Sequence, residues 1–178
     1  MGPLRAPLFL DSLRPPRAKR AHLPDPIVEA ARRAIVQGAD TLRRAVGDLP
    51  SEALNWRPAG PDTNSIAVLA THAMHATWVL AARAAGLPAP ARDRAGEFAA
   101  VADGPEALLA LVDGLAAECD AMLDGCAGID WSTPRQRRRD DGSILEMSAA
   151  EALLFAVTHL RGHADEAALT RHCWLAQG

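Results

Sequence analysis

Four stretches of this chain carry apolar residues at steps of three and four, the spacing of one buried helix face. The first begins after Pro26, where Ile27, Ala31, Ile35, Gly38, Leu42, Ala45 and Leu49 share a face, and it ends near "GDLP". The second runs from Ser65 to about Ala85 with a seam of Ile66, Leu69, Ala73, Ala76 and Leu80. Asn64 or Ser65 suits its cap, because a short polar side chain accepts from the free amides of the first turn, and "GLPAP" stops it. The third follows "DGPE": Asp103 is the expected cap, Pro105 fits the first turn, and Leu108, Val112, Leu115, Cys119, Met122 and Cys126 line up to about Gly128. The fourth, capped by Ser148, has Leu153, Ala156, Leu160, His163, Ala167, Thr170 and Trp174 on its seam. Together these predict an all-α fold, an antiparallel four-helix bundle.

The connections are uneven. "LPSEALNWRPAGPDTN" reads as a loop crowded with turn formers. Between the third and fourth helices, "IDWSTPRQRRRDDGSILEM" predicts a long surface loop, with Pro134 and the turn pair Asp141 and Gly142 allowing a short hairpin. Residues 1–26 hold six prolines and no long periodic pattern, so residues 1–24 are expected to be an extension placed before a domain spanning 25–178.

Composition narrows the function. A chain of 178 residues, 49% of them hydrophobic, forms one domain with a substantial core. A net charge of -3, with four Trp, three Phe and no Tyr, offers neither a basic footprint nor stacking platforms, which argues against nucleic acid as partner. The cluster Arg14, Arg17, Lys19 and Arg20 reads as a solvated tail. Cys119, Cys126 and Cys173 form no CxxC pair, and each falls in a helical pattern where cysteine acts as a small apolar residue, as expected in a reducing cytoplasm. No apolar run approaches the roughly 20 residues of a membrane span, and "APLFL" is too short for a signal peptide core of about 7 to 15 residues.

The candidate chemistry lies in the histidines. His159 and His163 stand four apart on the fourth helix, so both rings reach the same side, one turn above the other. His72 lies at the inner edge of the second seam, with His75 beside it in reserve; His22 and His172 fall elsewhere. Three imidazoles from two neighbouring helices would give a divalent metal, zinc or nickel, a three-histidine site with a position open for chemistry. The alternative is a buried histidine group satisfied by carboxylates or backbone carbonyls. Metal is favoured because clustered imidazoles in an apolar interior lose hydration and repel when protonated. Glu166, three residues after His163, falls on the same face, with two readings of equal weight: an acceptor or proton-transfer group, or a capping or surface salt-bridge residue.

The segments "LNWRP", "NSIAVLATHAMHATWVL" and "HLRGHADEAALTR" resemble, in order and spacing, the DinB/YfiT superfamily of metal-dependent enzymes, and "GHADE" is most similar to its branch related to mycothiol-dependent transferases. The resemblance spans roughly Asp25 to the C-terminus. It implies a four-helix bundle whose metal ligands are His72, His159 and His163. Where many members carry "HRGQ" at the last ligand, this chain has "GHADE".

The implied activity is transfer of a low-molecular-weight thiol, mycothiol or bacillithiol, held as thiolate against a small-molecule substrate. Arg83 and Arg161 are candidate anion contacts, each with a solvated alternative. Two other readings stay open: a metal-dependent hydrolase, in which water takes the place of the thiol, and a non-catalytic bundle that binds a metal or small ligand. A homodimer is the expected assembly. Trp56 and Trp131 either border a substrate mouth or cover the bundle end. Neither a nucleophile elbow nor a glycine-rich phosphate loop is present.

Overall fold

A computed structural model of the chain describes residues 25–126, 128–138 and 142–177. The expected extension over 1–24, and Asp141 of the expected turn pair, lie outside the described residues. Helix α1 (Pro26–Val46) starts where Asp25 accepts from the Ile27 amide at 2.8 Å and Pro26 occupies the first turn. It ends at Gly47, whose φ of 47° is a backbone conformation glycine adopts without strain. The helix therefore stops three residues short of Leu49, which is buried all the same from the turn that follows. Within the stretch read as loop lie a five-residue helix, α2 (Ser51–Asn55), and one 3-10 turn at Gly60–Asp62.

Helix α3 (Ile66–Ala85) is capped by Ser65, which accepts from the Val68 amide, and is closed by Gly86 in the left-handed region. Of its 20 residues 15 are buried, so it is covered nearly all round rather than along a single seam. Its alanines, including Ala67, Ala70, Ala73 and Ala81, let neighbouring helices approach from several sides. Counted from Gly60, this segment is long and apolar enough to cross a membrane, contrary to the expectation from the sequence, and 83% of its apolar window is buried in the protein.

A five-residue helix, α4 (Arg94–Phe98), precedes α5 (Pro105–Asp124). Because Pro105 is the first helical residue of α5, the capping position falls on Gly104; Asp103 sits one residue too early and makes no cap bond. Cys119 is buried in α5, and Cys126 is buried in the turn beyond it. Cys173 lies in α6, as its helical pattern predicts, but is exposed. Strands β1 (Pro134–Arg138) and β2 (Ile144–Ser148) pair antiparallel, with Pro134 opposite Ser148, so the fold is not purely helical.

The last helix, α6 (Ala149–Leu175), opens with a capping box in which Ser148 and Glu151 satisfy each other's backbone amides. The foot of the hairpin completes this start: the Ala149 and Ala150 amides donate to the Thr133 and Trp131 carbonyls at 2.9 and 3.0 Å. The Trp131 indole donates to Asp25 at 2.8 Å, joining the same foot to the start of α1. Helix α6 packs against α3 and α1, and both α3 and α1 also pack against α5. Arg32 pairs with Asp120 and Asp124, and Arg43 with Asp113, along the α1–α5 border. At Gly38 the backbones of α1 and α6 come so close that a Cβ there would lie 2.6 Å from Leu160 Cγ.

Candidate metal centre

Helices α3 and α6 bring together three of the four inward histidines read from the sequence. One ring nitrogen each from His72, His159 and His163 falls within 4.8 Å of the other two. Ring centroids are 5.1 Å apart for His72 with His159, 5.1 Å for His72 with His163 and 4.5 Å for His159 with His163. His75 is not among them: its Nδ1 donates to the Thr71 carbonyl at 2.9 Å and its ring lies beside Trp78.

Carboxylates orient two of the three rings. His72 Nδ1 lies 3.0 Å from Glu97 Oε2, and His163 Nδ1 lies 3.1 Å from Glu166 Oε2. A carboxylate accepts, so in each pair Nδ1 is the donor, which leaves Nε2 as the nitrogen a metal would use. Glu166 touches the cluster through His163, from a side chain 45% exposed. Glu97, at 3%, is buried. Arg92 holds it with two bonds, Nε to Oε1 at 2.5 Å and Nη2 to Oε2 at 2.6 Å, and its Nη2 also lies 3.2 Å from His72 Nδ1. Burial alone would raise the Glu97 carboxyl, but the Arg92 bonds and His72 outweigh it and hold the carboxyl below its ordinary value.

The third ring is different. His159 Nδ1 is buried with no hydrogen-bond partner among the described residues. Burial, followed by the charges of His163, His72, Arg92 and Arg137, pushes His159 down to about 4. His72 is lowered too, first by burial and then by Arg92 and His163 against the pull of Glu97. Both rings are therefore neutral at pH 7, the state in which imidazole binds a metal. Three converging imidazoles, two with Nδ1 held by carboxylates and one with an orphaned buried nitrogen, fit a divalent metal.

A cavity of about 330 Å³ opens beside His72 and His159. Ala76, Val79 and Leu80 of α3 and Phe155 of α6 form its apolar wall, and Arg83, Arg92, Arg94 and Arg137 line the rest. Of the two arginines named from sequence, Arg83 reaches this cavity, whereas Arg161 pairs with Asp165 on the surface at 2.8 Å. Neither tryptophan borders it. Trp56 packs edge-on against Trp174 at 5.6 Å and Trp131 is bound to Asp25, so both cover ends of the helical core.

The residues missed from sequence are Glu97 and Arg92. They come from the "PARDRAGEF" segment, and its signal is Asp93, whose carboxylate accepts from the Gly96 amide and starts α4. That short turn places Phe98 against His72, with centroids 4.4 Å apart, and Glu97 behind it.

The sequence profile of the DinB superfamily matches residues 34–167, more than half of the chain. The chain belongs to the DinB superfamily. Among solved structures it is similar to a mutant of a mycothiol-dependent maleylpyruvate isomerase, with a TM-score of 0.55 and 16% identity over 78% of this chain. The match spans 59% of that enzyme's chain, and at this identity the likeness is one of fold. No curated protein matches.

Proposed function

We propose that this chain is a metal-dependent enzyme that transfers a low-molecular-weight thiol, with His72, His159 and His163 as the metal ligands. The observation that carries the reading is the convergence of three ring nitrogens within 4.8 Å of one another, beside a cavity large enough for a small molecule. The four long helices serve as an antiparallel bundle whose middle holds the ligands on rigid elements.

A divalent metal so held supplies Lewis acidity, enough to keep a thiol deprotonated at neutral pH and so nucleophilic. The residues do the rest. Glu97 and Glu166 fix the tautomers of His72 and His163, and Arg92 keeps Glu97 ionised in its buried position. The apolar wall of Val79, Leu80 and Phe155 excludes water from the side on which a substrate would enter. Glu166, half-exposed beside His163, is placed to accept a proton from an incoming thiol. The similar fold of a protein described as mycothiol-dependent supports a thiol rather than water as the co-substrate, with mycothiol and bacillithiol as the candidates.

Cobalt substitution tests this. Adding either thiol to the cobalt-loaded protein should give a sulfur-to-metal charge-transfer band, and the band should be absent from the His72→Ala variant. Absence of any band, together with metal-dependent cleavage of simple esters, would replace the transferase with a hydrolase. Silence in both assays would leave a binding protein.

A further inference from the structure

The arginines around the cavity do more than the proposed thiol chemistry requires. Arg92 is neutralised by Glu97 through two bonds. Arg83 and Arg137 are placed differently: one comes from the last turn of α3, the other from β1, and both line the same cavity. Among the described residues no carboxylate lines it.

Arg83 is anchored to the hairpin by one bond, its Nε donating to the Gln136 carbonyl at 3.2 Å. Arg135, alongside, donates to the Arg83 and Ala84 carbonyls at 2.9 and 3.3 Å and locks the end of α3 to the hairpin. The hairpin therefore brings a second guanidinium up to the first. Both guanidiniums line one cavity, and burial, followed by the charge of Arg137, lowers the Arg83 guanidinium from its ordinary value. A bound anion between them would relieve that repulsion.

We propose that this cavity is a binding site for a small organic acid, its carboxylate held by Arg83 and Arg137 and its short apolar body against Val79, Leu80 and Phe155. The volume of about 330 Å³ lies at the low end of the range of small-molecule sites, roughly 300 to 1,000 Å³, so the ligand is small. Guanidinium matches carboxylate in a two-bond fork, and the apolar wall favours a hydrocarbon or aromatic body over a strongly hydrated ion. Because His72 and His159 line the same cavity, a ligand anchored at the arginines presents its other end to the histidine cluster. That orientation rests on the metal-enzyme reading; anion binding itself does not.

The test is calorimetric titration of the full chain with benzoate, its uncharged counterpart benzamide and inorganic phosphate. Each is run on metal-loaded and chelator-stripped protein. Benzoate should bind both forms, more weakly as salt is raised, and benzamide should bind at least tenfold more weakly. Arg137→Gln and Arg83→Lys should each lower benzoate affinity by about tenfold or more, the expected loss for a charge-assisted or forked bond, with melting temperatures unchanged. Arg161→Gln, outside the cavity, should bind as the parent does.

Benzoate binding that survives stripping and depends on the arginines supports the site even where the metal reading fails. Binding lost on stripping and indifferent to Arg83 and Arg137 overturns it, as does equal binding of benzamide. Phosphate binding as tightly as benzoate would overturn the organic-acid assignment. The salt dependence of the parent protein decides the matter should a variant fail to fold.

Discussion

Glu97→Gln is the sharpest perturbation of the candidate centre, because it alters one atom and leaves the volume unchanged. Glu97 accepts three bonds: two from Arg92, at 2.5 and 2.6 Å, and one from His72 Nδ1, at 3.0 Å. An amide has one acceptor oxygen and one NH2 group, so at least one of these donors must face another donor. Arg92 is 20% exposed and can turn to water, which keeps the cost to folding near the low end of the ~1.5–3 kcal/mol typical of bonds to charged groups.

His72 has no such freedom, being only 7% exposed, so its tautomer and ring orientation lose their guide. Removing an acceptor of this kind commonly weakens metal binding by 10- to 100-fold, about 1.4–2.7 kcal/mol. Glu166→Gln supplies the contrast: its carboxylate is 45% exposed, water can replace it, and the loss should be several-fold smaller. Competition with a chromophoric chelator for zinc, on protein without a polyhistidine tag, measures both. If Glu97→Gln binds zinc within twofold of the parent, or if Glu166→Gln is the more damaging, the account of how His72 is oriented is wrong.

Three further outcomes are expected. His163→Ala should abolish stoichiometric metal by elemental analysis while the helical circular dichroism persists, since alanine suits the helix and the buried residues around it remain; retained metal would remove His163 from the ligand set. His159 binds its proton less readily folded, at about 4, than unfolded, near 6.5, so the metal-stripped protein should be stable above about pH 6.5 and lose stability from there towards 4. His159→Ala should flatten that part of a stability–pH profile measured by urea unfolding. Finally, a thiol reagent should modify the exposed Cys173 in the native protein and reach Cys119 and Cys126 only in denaturant. Burial, reinforced by Glu118, pushes Cys119 up to about 12, and burial raises Cys126 as well. Three fast-reacting thiols in native protein would contradict the packing of α5.

Periodicity reveals elements long enough to repeat, and this explains what was legible. Four long helices, the caps at Ser65 and Ser148, a hairpin around Pro134 and the meeting of His72 with His159 and His163 all follow from spacing or turn chemistry. Helices α2 and α4 span barely more than one turn, so no face repeats; the stretch of α2 reads as loop and that of α4 shows no pattern. Glu97 is hidden for the same reason: its bond to His72 joins residues 25 apart, and its burial comes from tertiary packing that no local pattern encodes. Asp103 was misplaced by one residue because a proline fixes where α5 begins more strictly than an acidic side chain does. Cys173 lies one residue before Trp174 on the exposed side of α6, whereas the Trp174 ring packs against Trp56.

The close approach at Gly38 bears on how this protein can change over generations. Helix α1 supplies neither a cluster histidine nor a residue of the cavity beside it, so a survey of functional positions would pass it over. Yet Leu160, which fills the space left by the missing side chain of Gly38, follows His159 directly on α6. Glycine in mid-helix is unfavourable by roughly 0.5–1 kcal/mol relative to alanine, so its presence reflects the gain from that approach. Positions 38 and 160 should therefore vary together. In relatives that keep all three histidines, a larger residue at 38 should be accompanied by a smaller one at 160, and a chain that enlarges 38 alone should show altered metal geometry without losing a ligand. An alignment in which the two positions vary independently would disprove the coupling.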